Sequence, residues 1–240
     1  MTDTPRIEVT VAAPADEVWR ALRDPALVRR WHGWDYDGLD DEVRVIFVDG
    51  ATEEADGHAF VLSDGDRFAL RPVPGGTVVT ITRPPRGTND KWEAYYDDIT
   101  EGWTAFLLQL RYAVERGNLA ERRTVVLDGR LRDGSSLPAA LGLAAAADLP
   151  VGARYQATAA TGDTLAGEVF AHAGNWRAYT VDGLGPGLLV VGSQAPSPRH
   201  PAGAGLAILT VYAVDAFPAL EGRWTAWWAS VSEPVTVSAD

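Results

Sequence analysis

At the start of the chain the apolar positions fall on every second residue. Ile7, Val9 and Val11 alternate with Glu8 and Thr10, which predicts a strand with one buried face. Over residues 14–31, PADEVWRALRDPALVRRW, the spacing changes to four: Val18 and Leu22, then Leu27 and Trp31. Pro14 suits a first helical turn and Asp16 and Glu17 suit its positive end, so a helix is predicted, broken before Pro25. After the loop HGWDYDGLDDE come four short segments with strand character, VRVIFV, HAFVLS, RFALRPV and TVVTITR. Turns such as SDGD and PGG separate them, and an antiparallel meander is predicted. In residues 90–117, Tyr95, Ile99, Trp103, Phe106, Leu110 and Ala113 recur at helical intervals. Asp90 and Glu93 stand in capping-box spacing and Gly117 closes the run, giving a long helix that needs a sheet to lie against.

The second half repeats this order: RTVVLDGRL as a strand and SLPAALGLAAA as a short helix, then strands at ARYQATA, LAGEVFAH, NWRAYTV, GLLVVGS and GLAILTVYAV. A closing helix over residues 215–231 puts Phe217, Leu220, Trp224 and Trp228 on one face, with Asp215 as its cap. The phrase EGWTAF (101–106) returns as EGRWTAW (221–227). That spacing exceeds the roughly 20–50 residues of a solenoid unit and points to two related domains. The polar stretch RGNLAERR (116–123) marks the junction, giving expected domains 1–118 and 119–240.

Composition narrows the classes. The chain has 240 residues, 46% apolar and 22% charged, a globular profile with no run resembling a membrane span. Its start, MTDTPRIEV, lacks the basic-then-apolar layout of a secretory signal, and a cytoplasmic location is expected. The absence of cysteine removes disulfides and thiolate chemistry. A net charge of −12 disfavours nucleic acid and acidic membranes as partners. Lys91 is the lone lysine, and its setting, TNDKWE, resembles neither a Schiff-base site nor a phosphate loop.

The order of elements, with VAAPADEVWRALRDPALVRRW and YYDDITEGWTAFLLQLRYAVE, resembles the START-like superfamily, also called SRPBCC. Within it the chain looks like the branch named after the activator of the heat-shock-protein-90 ATPase. The positions carrying that likeness are Pro14, Val18, Trp19, Ala21, Leu22 and Trp31, with Gly102, Trp103, Leu107 and Leu110 in the closing helix. The match extends over residues 6–116. The second half matches in its last helix and its order, and its Ala-rich first helix, interrupted by Gly142, departs from the pattern. The resemblance implies an α+β helix-grip fold: a curved antiparallel sheet around a long C-terminal helix, in two copies, the second divergent, often with an apolar cavity between sheet and helix. Because that fold hosts carriers, receptors, cyclases and partner-binding domains, it does not by itself assign a function.

Nine tryptophans, at 19, 31, 34, 92, 103, 176, 224, 227 and 228, stand out as core or as cavity wall. Trp31, Trp34 and Trp103 are the cavity candidates, with Phe47, Phe60, Phe68 and Phe106 as apolar wall. His58 on the strand face of Phe60 and Leu62, Arg83 on that of Val79 and Ile81, and Tyr95 are the polar candidates for anchoring a ligand. Asp97, Asp98 and Glu101 read as acidic residues favoured near a helix N-terminus. His32, His58, His172 and His200 are scattered without metal-ligand spacing, and no nucleophile elbow or phosphate-cradling glycine loop occurs. No metal, cofactor or catalytic residue is expected. The expected function is non-catalytic binding of a small apolar or aromatic molecule in the N-terminal cavity; the alternatives are a chaperone-cofactor or other protein-interaction module, and a polyketide-cyclase-like enzyme in which Tyr95, His58 or Arg83 moves protons.

Overall fold

The computed structural model describes residues 4–55, 57–88, 93–198, 200–212 and 214–233. Asp90, Lys91 and Trp92 lie outside the described residues, and with them the first half of the expected capping box. The chain forms two compact units, Met1–Glu121 and Arg122–Asp240.

In the first unit β1 (Arg6–Val11) leads into α1 (Ala15–Arg23) and α2 (Pro25–Val28). Asp24 separates the two helices: its carboxylate accepts the Ala26 N–H at 2.9 Å, and Pro25 opens α2. Next come α3 (Leu39–Val43), a π-helical continuation (Arg44–Asp49), β2 (Ala51–Glu53), β3 (Ala59–Leu62), β4 (Arg67–Val73), β5 (Gly76–Thr82) and the long α4 (Tyr96–Glu115). The strands form one antiparallel sheet in the order β1-β5-β4-β3-β2. Its core gathers Phe47, Phe60, Phe68, Val79 and Ile81 against Trp31 and against Trp103, Leu107 and Leu110 of α4.

The segment VRVIFV is helical, which corrects the expected strand. The period explains it: Leu39, Val43 and Phe47, four apart, are 3%, 2% and 1% exposed, whereas Val45 and Val48 remain 54% and 45% exposed. A strand would have paired Val45 with Phe47 on one face.

The second unit comprises β6 (Arg123–Gly129), α5 (Leu137–Ala140), β7 (Arg154–Thr158), β8 (Thr164–Ala173), β9 (Trp176–Thr180), β10 (Gly187–Gln194), β11 (Ala204–Val211) and α6 (Phe217–Val231). Its sheet runs β6-β11-β10-β9-β8-β7, antiparallel throughout, with a register shift between Val169 and Ala171. Phe217, Leu220 and Trp224 of α6 join the core beneath it. The N-cap of α6 is Ala216; Asp215 sits in the preceding 3₁₀ turn (Val214–Ala216), correcting its expected capping role. Each unit is therefore α+β in the helix-grip order of strand, short helix, antiparallel sheet and long closing helix. Among the described residues no helix is long and apolar enough to cross a membrane.

Candidate functional site

Phe60 of β3, Phe68 of β4, and Trp103 and Phe106 of α4 come together with Trp31, Trp34 and Phe47 from the stretch between α2 and β2, seven aromatic side chains of the first unit. Phe60 and Phe68 stack at 4.7 Å and 8°, as directly paired residues of neighbouring strands. Phe68 meets Trp103 edge-on at 5.1 Å, and Phe47 meets Trp31, Phe60, Phe68 and Trp103 at 5.8–6.4 Å. Trp31, Phe47, Phe60, Phe68 and Trp103 are all buried, so these rings fill the interior. The cluster reaches solvent at one edge, where half-buried Phe106 faces Trp103 and half-buried Trp34.

The buried indole N–H groups find partners within the protein. Trp31 donates to the Ala21 carbonyl at 2.9 Å, and Trp103 donates to Asp66 Oδ2 at 2.7 Å. Asp66 is fully enclosed and also receives Arg83 Nε at 3.0 and 3.3 Å. Arg83 completes its bonds on the Tyr96 carbonyl at 2.5 Å and Thr100 Oγ1 at 2.7 Å, its guanidinium lying 4.3 Å over the Tyr96 ring. Burial, helped by nearby Asp64, pushes the Asp66 carboxyl above the usual range despite these donors.

The repeated phrase has a structural counterpart in this contact. In the second unit Trp224, aligned with Trp103, donates its indole N–H to Asp163 Oδ2 at 2.8 Å, and Arg223 reaches Oδ1 at 2.6 Å. Both aspartates close hairpin turns of one geometry. Leu62 N–H donates to the Asp66 carbonyl and Gly65 N–H to that of Leu62; Ala159 and Gly162 repeat this with Asp163. Gly65 and Gly162 have φ of +96° and +86°, a conformation that favours glycine. Burial raises the Asp163 carboxyl, but hydrogen bonds from Arg223, Thr161 and Trp224 outweigh it and hold the group below the usual range. The sequence signal was the shared Gly-Asp at 65–66 and 162–163; pattern reading registered only the first, as part of the turn SDGD.

Sequence reasoning also missed His32 as a site residue. It is 2% exposed, and its ring lies 5.0–5.8 Å from those of Trp31, Phe47, Trp103 and Phe106. His32 Nε2 is 2.9 Å from Glu42 Oε1, and Tyr36 donates its hydroxyl to Glu42 Oε2 at 2.5 Å. The bond from His32, then that from Tyr36, hold the Glu42 carboxyl below its usual range against burial. Donation to Glu42, with burial, pushes the Tyr36 phenol up to about 12. Glu42 is thus an anionic acceptor and Nε2 bears the proton facing it. The chain Tyr36–Glu42–His32 leads from a 44%-exposed phenol to the aromatic interior.

Of the other polar candidates, His58 sits just before β3 at φ +54°, its ring on Trp19 at 5.4 Å and Nε2 3.2 Å from Asp16. Tyr95 is 41% exposed beside the start of α4. Asp97 pairs with Arg86, and among the described residues no group of three potential metal ligands occurs.

No protein-family model matches the sequence, and no curated protein does. Among solved structures the chain is similar to DynU16, a protein of the dynemicin biosynthetic locus: 18% identity over 95% of this chain and 96% of that one, TM-score 0.33. It is similar also to the di-domain ARO/CYC BexL of the BE-7585A biosynthetic pathway, with 14% identity, 97% and 99% coverage and TM-score 0.32. An Aha1 from Colwellia psychrerythraea is 16% identical over 48% of this chain and 98% of its own, TM-score 0.34.

Proposed function

We propose that the N-terminal unit binds a small aromatic or apolar molecule at the edge of its ring cluster. The observation that carries this is the half-buried pair Trp34 and Phe106, continuous through His32 and Trp103 with the closely packed interior. A flat ring seated there gains edge-to-face contacts of about 0.5–1.5 kcal/mol each beyond its area burial. The deep rings already contact one another, so the ligand rests against the cluster. Trp34 and Phe106 form its walls, and Phe47, Phe60, Phe68 and Trp103 support them from behind. Arg83 is committed to Asp66, Tyr96 and Thr100, so it acts by holding Trp103 in place. A test is titration with 2-naphthol, followed by tryptophan fluorescence: saturable binding weakened about tenfold by Trp34→Ala and by Phe106→Ala is expected. Binding that both variants retain would contradict the site.

A second reading, proton transfer on such a molecule as in a cyclase, is favoured by one feature, the Tyr36–Glu42–His32 chain. It requires that His32→Asn abolish turnover while leaving naphthol affinity within about twofold; loss of both together favours binding alone.

A further inference from the structure

The two units differ at one end of their sheets. In the first, β1 passes into α1 through residues 12–14, and β4 into β5 through residues 74–75 alone. Glu115 closes that end by accepting the Ala12 N–H at 2.7 Å, and Thr77 donates to the Ala13 carbonyl. In the second unit both corresponding connections are longer: residues 130–136 between β6 and α5, and residues 195–203 between β10 and β11. Arg130, Leu131 and residues 134–136 of the first connection and Ala202 and Gly203 of the second, with the adjoining strand ends, wall a cleft of about 300 Å³. Loops lengthened on a shared scaffold are where binding sites are usually built.

The chemistry of the cleft is polar, unlike that of the aromatic edge in the first unit. Arg130, Ser136, Ser193 and Gln194 line it, and among the described residues no acidic side chain does. Ser136 is the N-cap of α5, yet its hydroxyl makes no capping bond. Gln194 lines the cleft with the rest of its side chain, because its Oε1 atom is turned away from solvent. Arg130 stands 3.8 Å from Glu233, too far for a hydrogen bond, and its guanidinium has donors to spare. The floor requires glycine: Gly203 has φ +76°, and a Cβ on Gly205 would lie 2.9 Å from that of Leu137.

We propose that this cleft is a second ligand site, for a small hydroxylated carboxylic acid of sugar-acid size. The carboxylate sits on Arg130, and hydroxyls exchange hydrogen bonds with Ser136 and Ser193. The volume lies at the low end of ligand pockets, about 300–1,000 Å³, which matches a single sugar-sized ring and excludes a large fused-ring molecule.

The test is titration of the full chain with D-glucuronate, D-glucose and benzoate, followed through the backbone amides of Ser136, Gly203 and Gly205 by NMR. Saturable shifts with glucuronate are expected, with glucose about tenfold weaker for want of the charge-assisted contact and benzoate weaker still. Arg130→Gln should weaken glucuronate about tenfold and Ser136→Ala about threefold, while Trp34→Ala, in the other unit, leaves it unchanged. Absence of saturable shifts at these amides overturns the proposal. So does equal affinity for glucose and glucuronate, or wild-type affinity in both cleft variants when their spectra remain dispersed. None of these results bears on naphthol binding in the first unit.

Discussion

At the residue scale, each unit's closing helix is fixed to a hairpin by one tryptophan bonded to one buried or nearly buried aspartate. Trp103→Phe keeps the ring and removes the donor, leaving Asp66 with Arg83 as its side-chain partner. A hydrogen bond to a charged group contributes about 1.5–3 kcal/mol, and a loss of that size is expected in denaturant unfolding; an unchanged midpoint would show that the indole N–H contributes nothing. The two aspartates should also titrate in opposite directions from the ordinary midpoint of about 3.9. Asp163, held low, contributes stability that is present above that midpoint and is lost as pH falls through its folded value. Asp66, held high, opposes folding increasingly as pH rises from the ordinary midpoint to its folded value, and protonation relieves that cost. Carboxyl carbon shifts measured from pH 2 to 7 should show Asp66 titrating above Asp163; the reverse order would contradict the assigned environments.

At the scale of elements, patterns that repeat over several residues were legible in the sequence. The alternation through β1, the break before Pro25 and the stripe of α4 from Ile99 to Ala113 lie where their periods place them, whereas Tyr95 precedes α4 and is exposed. VRVIFV was misread because a short run of β-branched and aromatic residues has no period of its own; Leu39, upstream in the loop-like GLDDE, supplies the helical one with Val43 and Phe47. Two substitutions separate the readings. Phe47→Ala should cost about 3–5 kcal/mol and Val45→Ala less than about 0.5, whereas a strand would have buried both on one face. The site was partly legible for a related reason. Hydrophobicity marks Phe47, Phe60, Phe68 and Trp103, but the partners of Arg83 and His32 come from elements distant in sequence, and no local pattern announces Asp66 or Glu42. His58 shares an alternating pattern with Phe60, yet its left-handed backbone takes it out of the strand and onto Trp19.

At the scale of the whole molecule, one architecture serves two units that have diverged in their chemistry. The first offers an aromatic edge backed by a filled interior, with the His32–Glu42–Tyr36 chain entering it. The second keeps the tryptophan–aspartate contact and opens a polar cleft where its connections lengthen. Because the interior rings of the first unit touch one another, a ligand taken up there would bind shallowly, at the edge. A ligand that expelled Phe60 from its stack on Phe68 would have to offset the loss of that packing.

The most direct test of this reading is native mass spectrometry of the full chain with 2-naphthol, comparing the wild type with Trp34→Ala. One naphthol per chain in the wild type, and a marked loss of that species in the variant, is the expected result. No bound species, or equal occupancy in the two proteins, would contradict the claim that the edge formed by Trp34 and Phe106 is a ligand site.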